Sequence, residues 1–131
     1  MSLPVVAIRH SGCLFVLVTG GRGFDDKDRL RGALDCLLTS TLERDLRMVL
    51  IEGGATGADR IARLWTWDHN VQCITQRADW TTHGDAAGPI RNQLMLDRHQ
   101  PDLCLAAPGG PGTSDMVERC RKAGVPVIFL E

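Results

Sequence analysis

Apolar residues along this chain fall into two patterns that alternate. Residues 14–18, 48–51, 103–107 and 127–130 are short continuous apolar runs rich in β-formers, and residues 71–75 form a shorter, weaker one. A run without polar alternation suits a strand buried on both faces, as in a parallel sheet. Between the runs, apolar residues recur at helical spacing. Leu30, Ala33, Leu34, Leu37, Leu38 and Leu42 make one such set, and Ala58, Ile61, Ala62 and Trp65 a second. Ile90 and Leu94 begin a third that runs on to about Arg98, and Met116, Val117, Cys120 and Ala123 make the fourth. Five strands alternating with four helices predict a single three-layer α/β domain over residues 1–131, a five-stranded parallel sheet flanked by helices. Residues 1–12 are expected to be a loose leader or an irregular first segment.

The junctions carry the chemistry. Three strands end in glycine-rich turns, at residues 19–24, 52–57 and 108–113. In open parallel sheets ligands bind beyond the carboxyl ends of the strands, so the three turns can converge on one site. Glycine lets backbone approach a ligand closely, and a following helix N-terminus presents unpaired N–H groups to an anion. The expected ligand-binding residues are Gly20, Gly21 and Arg22 in the first turn, Gly53, Gly54 and Thr56 in the second, and Gly109, Gly110, Gly112 and Thr113 in the third. Thr113 and Ser114 can donate hydroxyl hydrogen bonds or cap the last helix.

Around the turns several side chains have two readings each. Arg22 can clamp a phosphate with its fork, or be an exposed loop arginine. Asp59 can hold ribose hydroxyls or cap its helix. Arg91, one turn into its helix after Pro89, can face the cleft or be solvated. Asp115 is the carboxylate nearest the third turn; as a general acid or base it needs a raised pKa, and otherwise it is a favourable helix N-terminal charge. Glu52, at a strand end, can also enter the cleft. Residues 76–88 read as the longest irregular stretch and hold Arg77, Trp80, His83 and Asp85; long loops are often functional. Trp80 can stack on a base or pin its own loop. His69 and His99 read as solvated residues at helix ends.

Composition narrows the classes. The net charge of −1 offers no bulk attraction to nucleic acid or membrane, which disfavours both as partners. The five cysteines show no C-x-x-C or Cys/His spacing, so they read as small core residues of a cytoplasmic protein, with no metal site expected. No apolar run reaches membrane-spanning length. The turns match neither G-x-x-x-x-G-K-[ST] nor G-x-G-x-x-G, which leaves ATP hydrolysis and nicotinamide-linked hydride transfer unsupported and no cofactor expected.

Four blocks taken together, residues 18–24, 52–59, 88–93 and 108–113, resemble the SLOG superfamily, in particular the small YspA-like SLOG proteins related to the Lonely Guy phosphoribohydrolases. The resemblance spans about residues 14–130 and implies a Rossmann-like fold. It implies that Arg91 is the counterpart of the catalytic arginine and that Gly109, Gly110, Gly112 and Thr113 are the phosphate loop. The family's catalytic glutamate falls at Met116, which does no acid–base work, and Asp115 is one residue away; one helix position turns a side chain by roughly 100°. The expectation is therefore a binder of a nucleotide or nucleotide-derived ligand, acting as a sensor or processing protein, with Arg91 and Asp115 as catalytic candidates. The first alternative is a Lonely Guy-like hydrolase of the N-glycosidic bond of nucleoside monophosphates. The second is a single-strand nucleic-acid binder, against which neutral charge and few aromatics count. Family members commonly associate through helices, and an apolar set (Leu94, Met95, Leu96, Met116) offers either a homo-oligomer face or core.

Overall fold

A computed structural model describes residues 8–130. Its strands are β1 (Cys13–Thr19), β2 (Arg47–Glu52), β3 (Gln72–Thr75), β4 (Leu103–Ala106) and β5 (Val127–Phe129). They form one parallel sheet in the order β3-β2-β1-β4-β5. The helices are α1 (Lys27–Glu43), α2 (Ala58–Asp68), the one-turn α3 (Trp80–His83), α4 (Ala87–His99) and α5 (Pro111–Lys122).

The absence of polar alternation in β1 follows from burial on both faces. Leu14, Val16 and Val18 point to one side, where Leu34, Leu37, Ala62 and Trp65 of α1 and α2 cover them. Leu17 points to the other, with Ile51 and Cys104, under Met95 and Leu96 of α4 and Met116 and Cys120 of α5. Trp65 is fully buried, and its Nε1–H donates to Asp35 Oδ1 (2.9 Å), which satisfies the one polar group the indole carries inward.

Four sequence expectations need correction. The stretch over residues 76–88 is not irregular throughout. Asp79 Oδ1 accepts the Thr82 N–H (3.1 Å) and caps α3, a 3₁₀ turn (Gly84–Ala86) follows, and α4 begins at Ala87. Pro89 then lies within the first turn, where no donor is needed. The buried face of α4 is Ala87, Asn92, Met95 and Leu96; Ile90 is exposed, because the helix turns polar Asn92 toward α5. Gly110 caps α5 and Pro111 opens it, so Thr113 and Ser114 lie inside the first turn. Residues 8–12, by contrast, are irregular, one of the two readings given for the first segment, and they are anchored: Arg9 N–H donates to Asp102 Oδ1 (2.9 Å) and His10 stacks on Phe15. Residues 1–7, the rest of the expected leader, lie outside the described residues. His69 and His99 have protein partners: His69 stacks on Trp65 and pairs with Asp35, and His99 Nε2 donates to Gln76 Oε1 (3.1 Å).

Met95, Leu96 and Met116 are core residues, so the apolar set weighed as an oligomer face is largely interior. No helix among the described residues is long and apolar enough to cross a membrane.

Candidate functional site

The strand order reverses between β1 and β4. From β1 the chain passes into α1 on one face of the sheet, and from β4 into α5 on the other. A crevice at the strands' carboxyl ends is the consequence of that divergence.

Much of the glycine content serves to bring the turns together. Gly21 N–H donates to Pro108 O (2.9 Å), and Ala107 N–H to Thr19 O (2.8 Å), which stitches the first turn to the third. A Cβ on Gly109 would stand 2.7 Å from Gly21 N. Ala58 N–H and Thr56 Oγ1 donate to Gly21 O (3.2 Å) and Arg22 O (3.1 Å), stitching the first turn to the second. Gly57 makes that approach possible. Its φ is +71°, and a Cβ there would lie 2.5 Å from Arg22 O. Gly110 and Gly112 differ, since a Cβ on either would meet nothing within 4 Å.

Three N–H groups of the second turn are already taken by the chain's own carboxylates: Gly53 and Ala55 donate to Asp59 Oδ2 (3.1 and 3.2 Å), and Gly54 donates to Glu52 Oε1 (2.7 Å). Glu52 does not reach the cleft. It is fully buried, paired with Arg63 (2.8 Å), and accepts from Thr75 Oγ1. The start of α5 is open by contrast. The Gly112 and Thr113 N–H groups belong to a helix first turn and have no intrahelical acceptor.

A cleft of about 590 Å³ forms here. Gly20, Gly21 and Arg22 line it from the first turn, Asp59 from α2, Arg91 and Asn92 from α4, and Gly110, Gly112, Thr113 and Asp115 from the third turn and α5. Trp80 and Asp85 line it as well. Gly53, Gly54 and Thr56 line a smaller adjoining hollow instead, and Gly109 a hollow beyond the third turn. His83 is exposed and lines neither of the first two. Asn92 and Arg77 were not among the expected site residues. The signal for Asn92 is a polar residue in phase with Met95 and Leu96 on a buried helix face.

The electrostatics separate the two candidate carboxylates. Asp115 Oδ2 accepts from Arg119 Nε (2.8 Å) and Asn92 Nδ2 (2.9 Å), and these hydrogen bonds hold its pKa below the usual carboxylate value against the opposing effect of burial. It is a fixed anion that ties α4 to α5, a poor proton carrier. Asp59 is nearly buried, and burial followed by the nearby Glu52 charge raises its pKa to about 6. Among the described residues no hydrogen bond engages its Oδ1. Asp59 therefore meets the pKa condition that Asp115 fails.

Arg91 donates through Nη1 to Gly53 O (2.7 Å) and through Nε to Asn92 Oδ1 (3.0 Å). Burial and the Arg22 charge lower its pKa, while Asp59 and Glu52 oppose the shift. Arg22 lies over the Trp80 ring, 5.1 Å from the centroid. Two guanidinium groups thus face one cleft that also holds the open start of α5.

The YspA, cpYpsA-related SLOG family matches residues 14–83, from β1 through α3. The gene 61 protein of Mycobacterium phage D29 is 39% identical over 120 residues, covering 86% of this chain and 93% of that one. Two X-ray structures share the fold. TM1055 superposes with a TM-score of 0.65 at 17% identity, over 87% of this chain and 72% of its own. DNA processing protein A from Streptococcus pneumoniae superposes with a TM-score of 0.51 at 14% identity, over 88% of this chain and 58% of its own. From the match over β1–α3, which carries the first two glycine turns and Asp59, the chain belongs to the YspA, cpYpsA-related SLOG family.

Proposed function

We propose that this protein binds a nucleotide or nucleotide-derived ligand in the cleft, with a phosphate seated at the start of α5. The observation that carries this reading is the convergence of the unpartnered first turn of α5 with Arg22 and Arg91 in one cleft. Helix N-termini and arginine forks both favour a phosphoryl dianion. Family membership supports a nucleotide-related function in general terms. Arg91 and Asp115 keep distinct roles in this reading: Arg91 contacts the ligand, and Asp115 positions Asn92 and the start of α5.

A second reading is hydrolysis of the N-glycosidic bond, as the Lonely Guy resemblance implies. One observation favours it: Asp59, with its raised pKa and free Oδ1, supplies a proton-accepting carboxylate in the cleft.

The test is a panel of nucleoside monophosphates, followed by thermal shift and by released free base together. Specific stabilisation without free base supports a sensor or sink; free base that disappears in Arg91→Ala and Asp59→Asn supports the hydrolase. No shift and no cleavage with any nucleotide would remove both readings. Gly112→Ala sharpens the test. Its Cβ meets no protein atom, and alanine favours a helix over glycine by up to about 1 kcal/mol. The expected outcome is a melting temperature equal to or above that of the parent chain, with nucleotide affinity reduced roughly tenfold, about 1.4 kcal/mol. Unchanged affinity by titration calorimetry would move the phosphate away from α5.

A further inference from the structure

The Arg22–Trp80 pair is a partition. On one side lies the main cleft; on the other lies a hollow of about 300 Å³, and Arg22, Trp80 and Arg91 line both. The smaller hollow is lined by three arginines, Arg22, Arg77 and Arg91, and by no carboxylate side chain.

Each arginine is held by a separate device. Arg22 rests on the Trp80 ring. Arg91 donates to Gly53 O. Arg77 lies across Gly54 and donates to its carbonyl (3.2 Å); a Cβ on Gly54 would stand 2.9 Å from Arg77 Cγ, so the glycine makes the seat. Among the described residues none of the three forms an ion pair, although five other pairs are present. The nearby carboxylates form no ion pair with them, Glu52 binding Arg63, Thr75 and Gly54, and Asp59 binding Gly53 and Ala55. The Arg22 and Arg91 charges oppose one another, an effect that Asp59 and Glu52 offset in part, and an anion among the three guanidinium groups relieves it further. Three of the hollow's backbone N–H groups, at Gly53, Gly54 and Ala55, are occupied, so the three arginine side chains are its main anion donors.

We infer that this hollow is a second anion subsite, and that the ligand of the cleft carries two phosphoryl groups, one at the start of α5 and one among Arg22, Arg77 and Arg91. The inference rests on the nucleotide reading and adds to it the number of phosphates. Arg77 lines only the smaller hollow, so it separates the two subsites.

The test is titration calorimetry of the full chain with the 5′-monophosphate, 5′-diphosphate and 3′,5′-bisphosphate of adenosine and of guanosine. At least one two-phosphate compound is expected to bind on the order of tenfold more tightly than its monophosphate, as a hydrogen bond to a charged group provides. Arg77→Ala should erase that advantage and leave monophosphate affinity within about twofold, while Arg77→Lys, a point charge without the fork, should restore part of it. Monophosphate binding with no two-phosphate advantage overturns the second subsite and leaves the nucleotide reading standing. Equal loss for both ligand types in Arg77→Ala overturns it as well, since Arg77 then acts on the cleft as a whole. If the parent chain binds none of the six compounds, the nucleotide reading falls and the second subsite with it.

Discussion

Gly57→Ala is expected to lower the unfolding free energy by roughly 3 kcal/mol or more, combining the strain of a left-handed residue with overpacking. At φ +71° an L side chain is strained, and the added Cβ would press on the first turn at Arg22 O. The damage extends beyond one residue. Ala58 N–H and Thr56 Oγ1, the neighbours of Gly57, hold Gly21 O and Arg22 O, so pushing the turns apart breaks the stitch that places Arg22. The expected result is a midpoint shift in urea unfolding together with loss of nucleotide binding in whatever fraction stays folded. Gly112→Ala is the matched control: it too adds one methyl group to a glycine turn, but into open space. If the two variants melt alike, the first and second turns do not depend on close backbone approach, and the account of Gly57 is wrong.

That contrast also marks where sequence reading stops. The inner strands were legible because a parallel strand buried on both faces needs unbroken apolar runs, and β1, with Leu14 and Val16 on one face and Leu17 on the other, is one; the edge strand β3, partly exposed, left a weaker run. The convergence of the turns followed from their positions at strand ends. The division of labour among the glycines did not. Gly57 and Gly109 are written with the same letter as Gly110 and Gly112, yet two make room for backbone and two make room for the cleft. The second turn misled more strongly. Its glycines suggest a phosphate cradle, but Glu52 and Asp59 already accept its N–H groups, a property of side-chain direction that spacing does not encode. The phase of α4 was obscured because its inward face includes Asn92, which reads as solvent-facing until the network to Asp115 and Arg119 is seen. Asp59 lies in the first turn of α2 and Asp115 a turn deeper in α5, a difference that follows from α5 starting at Pro111, and partners and burial separate them further.

Asp59→Asn is expected to stabilise the protein at pH 8 and to lose that advantage toward pH 4. In the folded chain the Asp59 pKa is raised to about 6, burial being the first cause and Glu52 the second, against roughly 3.9 in an unfolded chain. The folded state thus binds the proton more tightly, and between those two values it carries more protons than the unfolded state. Unfolding free energy therefore falls as pH rises through that window. The contribution is fully present below about pH 4 and is lost above about pH 6, with a ceiling near 3 kcal/mol for a shift of about two pKa units. Asparagine keeps an oxygen for the Gly53 and Ala55 N–H groups and carries no charge to bury. A rise of roughly 5 °C in melting temperature at pH 8, shrinking to about half near pH 5 and toward zero at pH 4, follows for a domain of this size. Calorimetric melts of both proteins across pH 4–8 check the sign directly. A variant that is less stable at pH 8, or equally shifted at every pH, would show that the two backbone hydrogen bonds outweigh burial of the charge, and Asp59 would then be a structural cap. Turnover separates the roles further: if free base is released from a nucleotide, Asp59→Asn should abolish release while nucleotide-induced stabilisation persists.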